Sequence, residues 1–198
     1  KNIFYFDLND VSSVRDFSIR SPHFDCLIFL VALAHKKGIN KEFNDFYEAN
    51  FQTLKNLLSS LQEVSKLPKK IIFASTISVY GEKYNAEIYK EDDEINPCTP
   101  YAVTKHQAEK YLIENFKDNS WILRIAPVYS PDFKLNLIRR TKIKNFNFRV
   151  GDGMIELSLC NIKNLIDVVD GIISNSIPSD IYNISDNCNY TYNDILNH

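Results

Sequence analysis

Short apolar runs without polar alternation constrain this chain more than any other feature. Ile71-Ile72-Phe73-Ala74 and Trp121-Ile122-Leu123 are two of them, and residues 26–34 form a third. A run of this kind reads as a strand buried on both faces, the mark of a parallel sheet covered by helices. The segments between the runs have helical period. Phe43, Phe46, Tyr47, Phe51, Leu54, Leu57, Leu58 and Leu61 recur at that spacing over residues 41–61. Pro68 ends that element and its linker. Thr99 can cap a helix that has Pro100 in its first turn and runs to about residue 116. Strands alternating with helices of this length are βαβ units, so the fold class is α/β. Ile3-Phe4-Tyr5-Phe6, stopped by Asp7-Leu8-Asn9-Asp10, reads as one further strand.

After Pro131 the character changes. A helix is expected over Leu135–Thr141, a strand over 146–150 and a turn at Gly151-Asp152-Gly153. A helix over 162–174, a strand over Ile181–Ile184 and a last helix near Thr191 follow. Residues 82–98 are polar, with Glu91, Asp92, Asp93 and Glu94 in a row, and read as a solvated loop. Composition excludes several classes of partner. With 23 basic and 25 acidic residues the net charge is −2, so there is no basic surplus for sequence-independent binding of nucleic acid. The nine-residue run at 26–34 falls far short of the roughly 20 residues that span a bilayer, so no membrane partner is expected. Cys26, Cys98, Cys160 and Cys188 form no C-x-x-C pair and adjoin no histidine cluster. They read as reduced thiols of a cytoplasmic protein that holds no metal.

Tyr101 and Lys105 form Y-x-x-x-K, a spacing that sets both on one helix face. An ammonium beside a phenol stabilises the phenolate and lowers the tyrosine pKa. A tyrosine so tuned can exchange a proton with a substrate hydroxyl. Chance supplies about one such spacing in a chain of this composition, and alone it reads as a surface pair. Ser75-Thr76-Ile77-Ser78-Val79-Tyr80-Gly81 lies just past a buried strand. Open parallel sheets bind ligands at that end, although alone the segment reads as a polar turn.

Together these residues resemble the extended short-chain dehydrogenases, the NAD-dependent epimerase/dehydratase family that acts on nucleotide sugars. Asn96-Pro97-Cys98-Thr99-Pro100-Tyr101-Ala102-Val103-Thr104-Lys105, followed by Ala108-Glu109, resembles the family's P-x-S-P-Y-x-x-S-K-x-x-A-E. Residues 75–81 are similar to its S-S-x-x-V-Y-G, which puts Thr76 at the catalytic Ser/Thr position. Asp7-Leu8-Asn9-Asp10 resembles its acidic turn, residues 25–35 its D-V-I-H-L-A-A-x-A strand, and Asn50-Phe51-Gln52-Thr53-Leu54 its N-x-x-G-T helix. Leu123-Arg124-Ile125-Ala126-Pro127-Val128-Tyr129-Ser130-Pro131 is similar to L-R-P-x-N-V-Y-G-P, Gly151-Asp152-Gly153 to its G-D-G turn, and Ile181-Tyr182-Asn183-Ile184 to its late strand.

The resemblance implies a Rossmann-like, doubly wound parallel sheet with a small C-terminal α/β lobe. Residues 1–131 would be the dinucleotide-binding domain and 132–198 the substrate-binding lobe. Thr76, Tyr101 and Lys105 would be catalytic. NAD or NADP would meet Asp7, Leu8, Leu30, Val31, Ala32, Asn50, Ala74, Ser75, Tyr101, Lys105 and Val128. The implied function is epimerisation of a nucleotide-linked sugar by transient oxidation. A dehydratase or ketosugar reductase of the same family, or a non-catalytic dinucleotide-binding protein, is the alternative. The family's helix pairing implies a homodimer through helices 43–61 and 100–116. Both carry surplus apolar residues, among them Phe46, Tyr47, Phe51, Tyr111, Leu112 and Phe116. His35 could reach the pocket, while His23, His106 and His198 read as solvent-facing.

Three departures stand out. The family's G-x-x-G-x-x-G turn has no counterpart here, since the five glycines begin at Gly38. Pro127 replaces an asparagine. Ile155-Glu156-Leu157 replaces a segment that carries an arginine, and Lys163 stands where an aspartate is usual. The order of motifs places residues 3–6 at the family's third strand. Two strands are therefore expected between residues 3–6 and 26–31, in a segment that precedes this sequence.

Overall fold

The computed structural model describes residues 3–34, 42–81 and 88–197. In chain order its first elements are α1 (Val11–Arg20), β1 (Cys26–Phe29), α2 (Phe43–Tyr47), a π-helical turn (Glu48–Gln52) and α3 (Thr53–Glu63). Then come β2 (Lys70–Thr76), a 3₁₀ turn (Ile77–Tyr80), α4 (Pro100–Phe116) and β3 (Ser120–Ile125). The later elements are β4 (Val128–Tyr129), α5 (Leu135–Thr141), β5 (Lys142–Ile143), β6 (Phe146–Asn147), β7 (Glu156–Leu157) and β8 (Cys160–Asn161). α6 (Ile162–Ile173), β9 (Ile181–Ile184), β10 (Tyr190–Thr191) and α7 (Tyr192–Asn197) complete the chain. His35, Gly38, Lys41, residues 82–87 and His198 lie outside the described residues. No described helix is long and apolar enough to cross a membrane.

The main sheet has the order β1-β2-β3-β9, with β1 parallel to β2 from Cys26 opposite Lys70 to Phe29 opposite Phe73. β2 and β3 are its well-buried strands, each with a neighbour on both sides. Ile71, Phe73 and Ile122 pack into one core with Leu54, Leu57, Leu58 and Leu61 of α3 and Ala108, Leu112 and Phe116 of α4. The leucine half of the apolar period read from residues 41–61 is thus the face that α3 turns inward, whereas Phe43 of α2 is exposed. Each fully buried side chain of this size contributes about 1.5–3 kcal/mol.

Three expected strands are corrected. Residues 3–6 form no strand. Phe6 stacks on Phe17 of α1 at 4.1 Å and Phe4 meets the same ring edge-on at 5.5 Å, while Tyr5 is 92 % exposed. A strand needs a neighbour about 4.8 Å away, and among the described residues none pairs with this segment. Residues 26–34 give only the four-residue β1, which is not buried on both faces: it is an edge strand with Ile28 exposed, and Leu30 beyond it is 70 % exposed. The strand expected at 146–150 shrinks to β6, half of a hairpin with β5. The sequence reading also passed over α1. Asp10 caps that helix by accepting the Ser12 N–H at 2.9 Å, and Val14 and Ser18 are buried one turn apart.

The chain divides into two compact units, residues 1–123 with 178–182, and residues 124–177 with 183–198. In the second unit β4 runs parallel to β8. Asp186 is its polar centre. Its carboxylate accepts hydrogen bonds from the Asn161 N–H and Asn164 Nδ2, both at 2.7 Å, and from the hydroxyls of Tyr129 at 2.8 Å and Tyr190 at 2.9 Å. Burial opposes its charge, but these four bonds outweigh burial and hold its pKa below the ordinary value. Gly153 sits at φ +84°, and a Cβ there would lie 2.3 Å from Asn193 Oδ1. Only glycine fits that turn.

Candidate active site

The first unit carries the site, at the C-terminal end of β2. Thr76 is the last residue of that strand and caps the 3₁₀ turn, its Oγ1 accepting the Ser78 N–H at 3.2 Å. Gly81 closes the turn at φ +77°, where a Cβ would lie 2.2 Å from the Asn96 carbonyl oxygen. α4 begins behind Thr99, whose Oγ1 accepts the Ala102 N–H at 3.2 Å, with Pro100 in the first turn as the sequence predicts. That start brings Tyr101 near enough to Thr76 for the Thr76 hydroxyl to favour the phenolate. Lys105 follows one turn later.

Lys105 is 1 % exposed. Its Nζ donates to the Ala74 carbonyl at 2.7 Å and lies 4.5 Å from the centre of the Phe73 ring. Burial lowers its pKa from 10.5 to about 8, and the Glu109 charge opposes that fall. The expected depression of the Tyr101 pKa is corrected. Burial pushes the phenol up, and the Thr76 hydroxyl only partly offsets it. Lys105 directs its ammonium at the Ala74 carbonyl, and its charge is not among the influences that shift Tyr101.

Asn50 sits in the π-helical turn and is wholly buried. Its Oδ1 accepts the Leu33 N–H at 2.6 Å, and its Nδ2 donates to the Leu33 carbonyl at 3.2 Å and to Thr104 Oγ1 at 3.0 Å. One side chain therefore ties the exit of β1 to the helix that carries Tyr101 and Lys105. Leu30, Val31 and Ala32 lie exposed just past β1. Ser75 is buried and donates its hydroxyl to Glu109. Asp7 and Leu8 form a turn before α1: Asp7 Oδ1 accepts the Asn9 N–H at 2.8 Å, and the Leu8 carbonyl accepts from Asn56 Nδ2 at 3.0 Å. Val128 belongs to the second unit, where its carbonyl accepts from Asn136 Nδ2 at 2.8 Å.

His23 is exposed as expected, but His106 is not solvent-facing. Its side chain is 19 % exposed, and Nδ1 lies 3.5 Å from Glu109 Oε2. The sequence reading gave no role to Glu109 or Asp186. For Glu109 the signal was present, an acidic residue one turn past Lys105 on the same face. For Asp186 nothing local marks it, since Tyr129 lies 57 residues away. Among the described residues no group of His, Cys, Asp and Glu could hold a metal ion.

The comparisons agree with this architecture. The sequence matches the profile of the NAD dependent epimerase/dehydratase family over residues 1–185. It is 28 % identical over 174 residues to UDP-glucose 4-epimerase of Vibrio cholerae, a match covering 83 % of this chain and 52 % of that protein. It is 38 % identical over 112 residues to an uncharacterized UDP-glucose epimerase, YtcB, of Bacillus subtilis strain 168, covering 54 % of this chain and 34 % of the other. The solved structure of UDP-glucuronic acid 4-epimerase from Bacillus cereus, in complex with NAD, superposes with a TM-score of 0.71 at 26 % identity, covering 95 % of this chain and 62 % of that one. The chain spans about half the length of the Vibrio relative. The fold is Rossmann-like. With the profile spanning nearly the whole sequence and the strand-end Thr76 meeting Tyr101 one turn ahead of Lys105, the chain belongs to the NAD-dependent epimerase/dehydratase family.

Proposed function

We propose that the protein is an NAD(P)-dependent epimerase of a nucleotide-linked sugar, working by transient oxidation and re-reduction of one sugar carbon. The observation that carries this reading is the grouping of Thr76, Tyr101 and Lys105 at one strand end. Lys105 also supports a dinucleotide at this site. An ammonium has three N–H donors, and among the described residues one hydrogen-bonds a carbonyl while the Phe73 ring lies beside the group. A buried donor left unpaired is costly, and the ribose hydroxyls of a bound cofactor are suitable acceptors. The exposed residues 30–32 give the cofactor an apolar strand end to lie on.

The bound nicotinamide would take and return a hydride. Tyr101 moves the matching proton at the sugar oxygen, and the Thr76 hydroxyl orients that oxygen. The oxidation half needs Tyr101 as the phenolate that accepts the hydroxyl proton, and the reduction half uses the resulting phenol as donor. Burial favours the phenol, so the oxidation half is the one its surroundings oppose. Lys105 holds the ribose. The same reading includes a cytoplasmic homodimer through the helices of residues 43–61 and 100–116.

The test is Tyr101→Phe in the intact protein. Turnover of UDP-sugars should fall by at least about 10²–10⁴-fold, the range typical of a general acid/base, with NAD affinity within a few-fold of wild type. A variant that keeps wild-type kcat ends this reading.

A further inference from the structure

Glu109 is a wholly buried carboxylate on the inner face of α4, outside the set of groups that would touch substrate or cofactor. Such a group is costly to bury unless it is both paired and hydrogen-bonded. One oxygen accepts the Ser75 hydroxyl. The other lies 3.5 Å from His106 Nδ1. Both neighbours of Ser75 belong to the site: the Ala74 carbonyl holds Lys105 Nζ at 2.7 Å, and Thr76 faces Tyr101. Glu109 also stands four residues past Lys105, on the same helix face.

We propose that Glu109 is a positioning residue, which fixes the end of β2 through Ser75 and supplies the buried counter-charge that keeps Lys105 an ammonium inside the site. The surroundings of Lys105 leave that task to Glu109. Among the described residues the contacts of Lys105 on β2 are the Phe73 ring and the Ala74 carbonyl, both uncharged, and the turn after β2 carries the hydroxyl of Ser78, bonded to that of Thr76. α4 offers the Tyr101 phenol and the His106 imidazole. Among the described groups Glu109 is the one whose charge acts on Lys105, and it works against burial. Without it the amine would shed its proton at a lower pH and lose its hold on acceptor oxygens. The inference rests on the reading of Lys105 as the ammonium of the site.

Glu109→Gln in the intact protein separates charge from shape, because the amide oxygen can still accept the Ser75 hydroxyl. The readout is the titration of Lys105 Nζ by NMR of ¹⁵N-lysine-labelled protein, with the signal assigned by its loss in Lys105→Met. The Lys105 midpoint should fall by about half a unit or more. A midpoint unchanged within about 0.2 unit overturns the proposal. Should the glutamine variant fail to fold, Ser75→Ala decides. That variant keeps the carboxylate charged, so the midpoint should stay within about 0.3 unit of wild type, and a fall of half a unit or more would show that packing at the strand end sets it. The titration is independent of turnover. A protein in which Lys105 shifts as stated but which acts on no nucleotide sugar keeps this inference and ends the epimerase reading. Turnover with an unmoved Lys105 does the reverse.

Discussion

Lys105 is held against its own solvation. One carbonyl and one ring face are thin compensation for water around a buried ammonium. The native chain therefore gives up this proton near pH 8, the unfolded chain near 10.5. Between those values the unfolded state binds more protons, so stability rises with pH across that window, and below it the ammonium costs the fold its full penalty. Lys105→Met combined with Glu109→Gln, which removes the buried pair whole, should then raise the melting temperature at pH 7 by a few degrees, with the gain shrinking above about pH 8. Thermal melts of both proteins from pH 6 to 10 check this, and a variant that melts several degrees lower at pH 7 contradicts it. The placement of Thr76 at a strand end and of Tyr101 and Lys105 one turn apart on a helix was legible in the sequence because each sits in a short local pattern. The direction of the Tyr101 shift was not, because burial is set by distant chain. Nor was the task of Glu109, whose partner Ser75 lies 34 residues back.

At the scale of elements, the strands and helices with unbroken apolar period were readable almost to their ends: β2, β3, α4, α5, α6 and β9 fall where periodicity and capping put them. The failures share a cause. A run such as Ile3-Phe4-Tyr5-Phe6 has strand chemistry, but strandedness depends on a partner, and here its rings go to Phe17 instead. In the second unit a single carboxylate joins β4, the start of α6 and β10. Asp186 takes the N–H of Asn161, the residue that caps α6. Its native pKa lies below the ordinary 3.8. The stability it contributes is therefore complete above about pH 5 and drains away as pH falls through the depressed native value. Asp186→Asn should remove this acid limb, and a variant whose acid unfolding profile matches wild type would deny Asp186 that role. Urea melts between pH 2.5 and 6 are the measurement.

For the whole molecule, the large apolar residues that suggest a partner surface divide into two sets. Phe46, Leu112 and Phe116 are already buried within the chain. Tyr47, Phe51 and Tyr111 form a half-buried ladder, with ring centres 5.2 Å and then 5.9 Å apart. That ladder is the face on which the proposed dimer depends. Light scattering of the intact protein at micromolar concentration should give twice the chain mass, and Tyr111→Glu should halve it. A wild-type monomer removes the dimer from the functional reading. The α/β class was legible from alternating periods alone, whereas pairing across a sheet edge is a relation between segments that no local pattern encodes. Among the described residues β1 ends the main sheet on one side, with Ile28 and Leu30 open to solvent beside its outer row of backbone groups. A bare row of this kind is a template for any extended chain that meets it. Prepared as these 198 residues alone, the polypeptide should form thioflavin-positive aggregates whose growth steepens with concentration. Ile28→Lys, a charge of the sort that guards natural sheet edges, should slow them severalfold.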